Sequence, residues 1–189
     1  LTGFEYMLIR GGGLDGHETP LVIATQDNTD IYVNGVLNTT LLRAGDHVFL
    51  PESLYQTTLG NNENMYISSQ DDAKPLYVYQ FLGGSDSPPG QPNATPGMNF
   101  IPPLSCFFQD SVDLIPAVNE INPGATLFTG NIIITSQVGN TVSINGVPLT
   151  GAETNPGTPD WETYFELEIN NRMTLKNFQE LVIQHSVLF

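Results

Sequence analysis

The chain has 189 residues, enough to bury a sizeable hydrophobic core, and its 18 Gly and 14 Pro interrupt it too often for long helices. Twenty Asp and Glu against five Lys and Arg give a formal net charge of −15, which repels nucleic-acid phosphates and anionic lipid head groups. A single cysteine, Cys106, excludes an internal disulfide or a thiolate zinc site, and no apolar run has the length of a membrane span.

Runs rich in β-branched and aromatic residues, bounded by Gly, Asn or Asp, predict strands over Phe4 to Arg10, Leu21 to Gln26, Asp30 to Asn34, Leu41 to Arg43 and His47 to Leu50. Asn34-Gly35 supplies the two positive φ angles of a type I′ hairpin turn. Met65 to Ser69 and Leu76 to Leu82 follow as strands. In the second of these Leu76, Val78 and Gln80 alternate with Tyr77, Tyr79 and Phe81, so both faces are largely apolar and a central, covered strand is expected. Gly83 to Gly97 holds four prolines and four glycines and is the longest predicted loop. Beyond it come an apolar block from Phe100 to Phe108, where Leu104, Phe107 and Phe108 make Cys106 a buried small hydrophobe. A turn over Gln109 to Asp113 is next, then a strand from Leu114 to Ile121 broken at Pro116.

Ala24 to Val36 can be laid over Thr135 to Val147: each reads as a strand, a polar turn, an alternating strand and Asn-Gly-Val. The strict alternation of Tyr164 to Ile169 marks a strand with one wet face, and Leu181 to Phe189 closes the chain as another. The expected architecture is therefore all-β: antiparallel β-sandwich(es) with pseudo-repeated halves and little helix. The halves are residues 1–82 and 98–189, joined by the Pro/Gly-rich loop 83–97, in one compact unit. No signal peptide opens the chain at Leu1 and an apolar run ends it at Phe189, which reads as one domain of a longer exported protein.

Catalytic signatures are absent: there is no HExxH, no Gly-x-Ser-x-Gly elbow and no phosphate-cradling glycine loop ahead of a helix. Gly11 to Glu18 reads as a hairpin loop, and His17, His47 and His185 fall in separate segments. The expectation is a binding module, not an enzyme. Ca²⁺ favours several oxygen ligands from Asp- and Asn-rich loops, which nominates Asp27 and Asp30, Asp71 and Asp72, and Asp110 and Asp113 as metal ligands. The same acids read equally well as turn caps facing water. Asn28, Asp160 and Trp161 are the candidate ligand contacts, Trp161 because a large ring beside a Gly/Pro-rich loop makes an anchor for a sugar face or a peptide side chain, with packing into the core the alternative reading that its size favours.

Three stretches occur in order: Thr25-Gln26-Asp27-Asn28-Thr29-Asp30-Ile31-Tyr32-Val33-Asn34-Gly35, Lys74-Pro75-Leu76-Tyr77-Val78-Tyr79-Gln80, and Ile101-Pro102-Pro103-Leu104-Ser105-Cys106 with Val112-Asp113-Leu114-Ile115-Pro116 after it. Together they resemble the bacterial relatives of the N-terminal domain of IgG-Fc-binding protein, over roughly residues 4 to 189. The resemblance implies an extracellular, β-rich recognition domain. In acidity and setting the chain is also similar to the peptide- or sugar-holding domains of large calcium-dependent repeats-in-toxin adhesins. On that basis the expected role is Ca²⁺-dependent adhesion at a bacterial surface, by a domain that is monomeric when isolated, toward a protein, peptide or glycan on another cell. A structural β spacer and a carbohydrate-binding module are the alternatives. A spacer gains nothing from long loops, so the 83–97 and 151–160 segments favour binding.

Overall fold

A computed structural model of the chain describes residues 2–10, 18–57, 63–82, 97–104, 111–115, 129–154, 157–158, 160–168, 173–176 and 180–186. Among them the only helical element is one 3-10 turn, Glu52–Leu54; all other regular structure is antiparallel strand, as expected of an all-β chain. Two compact units emerge: residues 1–104 with 155–158, and residues 105–154 with 159–189.

The first unit contains β1 (Glu5–Ile9), β2 (Pro20–Ala24), β3 (Thr29–Val33), β4 (Val36–Leu41), β5 (His47–Phe49), β6 (Gln56–Thr57), β7 (Glu63–Ser69), β8 (Leu76–Leu82) and β9 (Gly97–Ile101). One sheet has the order β1-β7-β3-β4, with β6 also on β7, and the other the order β5-β2-β8-β9. Alternation dictates how they pack. Tyr6, Leu8, Ile31, Val33, Leu41, Met65 and Ile67 from the first sheet share one buried cluster with Val22, Ala24, Leu76, Val78 and Ile101 from the second. Successive side chains on a strand point to opposite faces, so these inward rows make the interior of a β-sandwich. Burial of such rows is the main favourable term, at about 1.5–3 kcal/mol for each large side chain.

Asn34 (φ 50°) and Gly35 (φ 78°) form the predicted I′ turn between β3 and β4. Because the turn reverses the chain at once, with Val33 opposite Val36, the returning strand starts earlier than its apolar residues indicate. It covers Val36–Leu41, not Leu41 to Arg43, and a register shift between Ile31 and Tyr32 accommodates it. The first unit also reaches beyond the 83–97 segment to Leu104, since β9 pairs with β8 from Val78↔Ile101 to Leu82↔Gly97.

The second unit contains β10 (Ser111–Ile115), β11 (Thr129–Gln137), β12 (Ser143–Ile144), β13 (Val147–Pro148), β14 (Glu153–Thr154), β15 (Trp161–Glu168), β16 (Met173–Lys176) and β17 (Glu180–Ser186). Its sheets run β10-β16-β12-β13 and β14-β15-β11-β17. Seven strands taken in chain order, β1, β2, β3, β4, β5, β7 and β8, thus make the same antiparallel pairings as β10, β11, β12, β13, β15, β16 and β17. The second Asn-Gly turn, Asn145 (φ 51°) and Gly146 (φ 81°), joins β12 to β13 where the first joins β3 to β4. The predicted turn over Gln109 to Asp113 is corrected in its described part: Ser111 to Asp113 lie in β10, with Ser111 and Val112 paired to Lys176 and Leu175 of β16. Cys106 and the Gly11 to His17 and 83–96 loops lie outside the described residues.

Tyr6 ties β1 to its surroundings through its hydroxyl, which donates to the Leu76 carbonyl and accepts from the Gly3 N–H at 2.9 Å. Burial raises its pKa to about 12, and burial pushes the Tyr55 and Tyr66 phenols up as well. A raised folded-state pKa leaves stability intact below pH 10, the ordinary tyrosine value, and removes it as pH climbs through the folded value, since the unfolded chain loses its proton first. Melting temperature is therefore expected to fall steeply between pH 10 and about 12, with these three phenols ionising only as the fold is lost. A phenolate absorbance titration in which all seven tyrosines ionise together, ahead of unfolding, would contradict this.

Candidate functional site

The outer face of the β5-β2-β8-β9 sheet is built by the same alternation that builds the core. On β8, Leu76, Val78 and Gln80 are buried, which turns Tyr77, Tyr79 and Phe81 outward. Register then sets their neighbours. Phe49, Leu21, Tyr79 and Phe100 form one row across all four strands; His47, Ile23 and Tyr77 form the next; Phe81 lies opposite Met98. None of these nine side chains is an acid or a cation, in a chain with twenty acids and five bases.

Five of them are exposed: Phe49 and Met98 at 52%, Tyr77 at 39%, Phe100 at 38%, and His47. Ring contacts lace the face together, His47–Phe49 at 5.9 Å edge-on, Phe49–Phe81 at 5.8 Å and Tyr79–Phe100 at 5.6 Å and 66°. Such pairs add about 0.5–1.5 kcal/mol each beyond simple burial and hold the rings in place. Alternation makes β8 central, as expected, but its outward row is not covered. A ring-rich, uncharged face left open to solvent is the mark of a docking surface.

At one end of this sandwich Asp27 and Asp71 bond turn N–H groups and Asp30 bridges β3 to β4. Asp27 Oδ1 accepts from the Ala44 N–H at 2.9 Å, Asp30 Oδ1 from the Thr40 hydroxyl at 2.6 Å, and Asp71 Oδ1 from the Ala73 N–H at 2.9 Å. Asn28 (φ 53°) is itself a turn residue; its carbonyl accepts from Gln70 Nε2 at 3.0 Å, while the Lys74 ammonium donates to the Asp27 carbonyl. Gln70 also accepts from the Asp30 N–H at 2.7 Å, so residues 26–30 are stitched to residues 70–74 by an amide and an ammonium. Asp72 is exposed. Among the described residues no three His, Cys, Asp or Glu come together as a metal group. Asp113 belongs to the second unit, on β10, and Asp110 lies outside the described residues. Asp27→Ala is expected to cost about 1 kcal/mol through the lost bond to Ala44. Equal denaturant midpoints for the variant and the parent would contradict that.

Trp161 follows the core reading and not the anchor reading. It opens β15 opposite Gln137 and is 4% exposed, so its ring has no free face for a ligand; Asp160 before it is exposed, with its carbonyl bonded by the Val138 N–H at 2.9 Å. Residues 155–158, expected to belong to a binding loop, are part of the first unit instead. There Thr158 is buried and bonds the Tyr66 hydroxyl, and Gly157 lies against the Asn34-Gly35 turn.

The opposite end of the same sandwich carries a polar cluster that no motif announced. Arg10 reaches Glu63 at 2.5 Å and Glu52 at 3.5 Å. Glu52 accepts from the Glu18 N–H, and buried Gln80 donates to the Ile9 carbonyl at 2.8 Å and the Tyr55 hydroxyl at 3.0 Å, with Glu18 Oε2 at 3.5 Å. These groups tie the end of β1, the start of β2, the 3-10 turn and β8 to one another. Their partners are 25 to 71 positions apart in the chain, beyond any local pattern.

No curated protein matches the chain. Among solved structures a Pleurotus ostreatus lectin in its apo form aligns with 98% of this chain and 72% of its own, at 12% identity and a TM-score of 0.29, too remote to bear on fold or ligand. The family model described as IgGFc binding protein matches residues 1–184. With a match of that extent, the chain belongs to the IgGFc binding protein family.

Proposed function

We propose that this chain is an extracellular recognition module that holds a protein or glycan on another surface, without chemistry of its own, through the outer face of the β5-β2-β8-β9 sheet. The observation that carries the reading is the contrast between a −15 chain and a four-strand face with no charge and five aromatic carbocycles on it, Phe49, Tyr77, Tyr79, Phe81 and Phe100. Exposed apolar area of that kind has a solvation cost unless a partner covers it. The family name adds an immunoglobulin Fc to the partners worth testing. The two units, with their shared strand order, are read as copies of one ancestral half.

Purified protein should bind at least one of three immobilised panels: IgG Fc, a peptide array or a glycan array. Phe49→Asp combined with Phe100→Asp should abolish that binding at temperatures where the variant stays folded; its melting temperature should fall by several degrees, since the pair takes part in all three ring contacts of the face. Full binding by the double variant would remove the face from the function. A bacterial-surface setting and a calcium requirement belong to the same proposal. Calcium is supported by the charge, because an ion that binds only the folded state stabilises it by mass action. Melting in calcium should exceed melting in chelator by several degrees, and identical curves at moderate salt would dispose of calcium.

A further inference from the structure

Resting on the reading of this face as the recognition surface, we propose that its ligand is a neutral saccharide chain. The fold requires apolar residues at these positions but not aromatic ones. In the second unit the corresponding strands pair Ile132 with Ile183 and Ile134 with Leu181, where the first unit pairs Leu21 with Tyr79 and Ile23 with Tyr77. Among the described residues the Tyr77 and Tyr79 rings of β8 thus have aliphatic counterparts on β17, although Tyr164 stands opposite Ile134 on β15, and β9 adds Phe100 to the first unit's open face.

Size argues against a protein as the main occupant. Four strands by five residues of strand make a patch of roughly 19 Å by 17 Å, about 320 Å². A stable protein–protein interface needs about 800 Å² from each partner. A short run of sugar rings matches the smaller dimension, its C–H faces lying on aromatic rings while its hydroxyls meet the Tyr77 and Tyr79 hydroxyls and the His47 imidazole. Charge narrows the class. A net −15 repels uronates, sialosides and sulfated glycans, and the face holds no Lys or Arg to pair with them. Ring geometry narrows it further, because neighbouring rings are inclined by 43° to 90° and so do not form the flat plane a crystalline polysaccharide would need. A single soluble chain, whose successive rings turn, fits them.

The test is affinity electrophoresis of the full chain in gels containing soluble neutral polysaccharides (mixed-linkage β-glucan, xyloglucan, galactomannan) or anionic ones (alginate, heparin), followed by calorimetry with the matching neutral hexasaccharide. Retardation by at least one neutral polymer, persisting in high salt, and none by the anionic polymers is expected. Phe100→Ala and Tyr77→Ala, at exposed positions where folding is not at risk, should each weaken hexasaccharide binding about tenfold, and Phe100→Trp should retain it. Absence of retardation by every neutral polymer overturns the proposal, as does unchanged affinity in both alanine variants or retardation by anionic polymers alone. If the Phe49→Asp, Phe100→Asp double variant loses binding to IgG Fc or peptides while neutral saccharides neither bind nor compete, the saccharide assignment fails and the recognition face stands.

Discussion

Gly157→Ala is expected to destabilise the first unit by about 3 kcal/mol, at the upper end of overpacking costs. A Cβ on Gly157 would sit 2.2 Å from Asn34 C, 2.4 Å from Gly35 N and 2.5 Å from Asn34 Cα. All three are backbone atoms, and the turn that holds them is itself pinned. The Asn34 N–H donates to the Tyr66 carbonyl at 2.8 Å, Asn34 Oδ1 accepts from the Tyr66 N–H at 3.0 Å, and Asn34 Nδ2 donates to the Leu54 carbonyl at 2.7 Å. The turn cannot move by an ångström without breaking one of these bonds, so Gly157 and Thr158 must lift away and expose Tyr66. Limited proteolysis should then cut near residue 158 in the variant and not in the parent. Equal melting and equal protection would show that the contact yields without cost.

Gln80→Leu should be comparably damaging although it preserves volume. The amide is 5% exposed and its two N–H groups serve the Ile9 carbonyl and the Tyr55 hydroxyl, with the Glu18 carboxylate 3.5 Å away. Removing the donor leaves those acceptors in a site that water does not reach freely, and buried unsatisfied groups cost about 1–3 kcal/mol each. A loss of about 3 kcal/mol corresponds to a melting temperature lower by roughly 6–12 °C in a chain of this size. Since the change is confined to the interior, the outward rings on β8 keep their register and any binding at the sheet face should survive below the new melting temperature. A variant as stable as the parent would mean that the cluster is satisfied without Gln80.

The elements governed by neighbours in sequence were legible. Asn34-Gly35 and Asn145-Gly146 have turn geometry because Asn and Gly tolerate positive φ, and that property travels with the residues. The alternation on β8 made it a central strand for the same reason. What lay beyond reach depended on what stands opposite in space. Whether Tyr77 and Tyr79 are covered is decided by the surroundings of the sheet and not by their own strand. Trp161 beside a Gly/Pro-rich segment has the pattern of an exposed anchor, yet it is buried at the head of β15. That Asp27 Oδ1 would meet the Ala44 N–H and Asp30 Oδ1 the Thr40 hydroxyl is likewise set by partners 17 and 10 positions away, not by the residues beside them. The Arg10, Glu18, Glu52 and Gln80 cluster left no trace at all, because its members share no spacing.

The discontinuity of the first unit has a consequence in time. Gly157 lies against the Asn34-Gly35 turn, but the polypeptide reaches Leu104 about 50 residues before it reaches Gly157. At roughly 5–20 residues per second the ribosome takes several seconds to make that stretch. During this interval the first unit has all its strands and lacks its last piece, with the Tyr66 side of the turn open to solvent and to chaperones. Its maturation is thus clocked by synthesis of the second unit, and a nascent chain that stalls before Thr158 leaves both units unfinished.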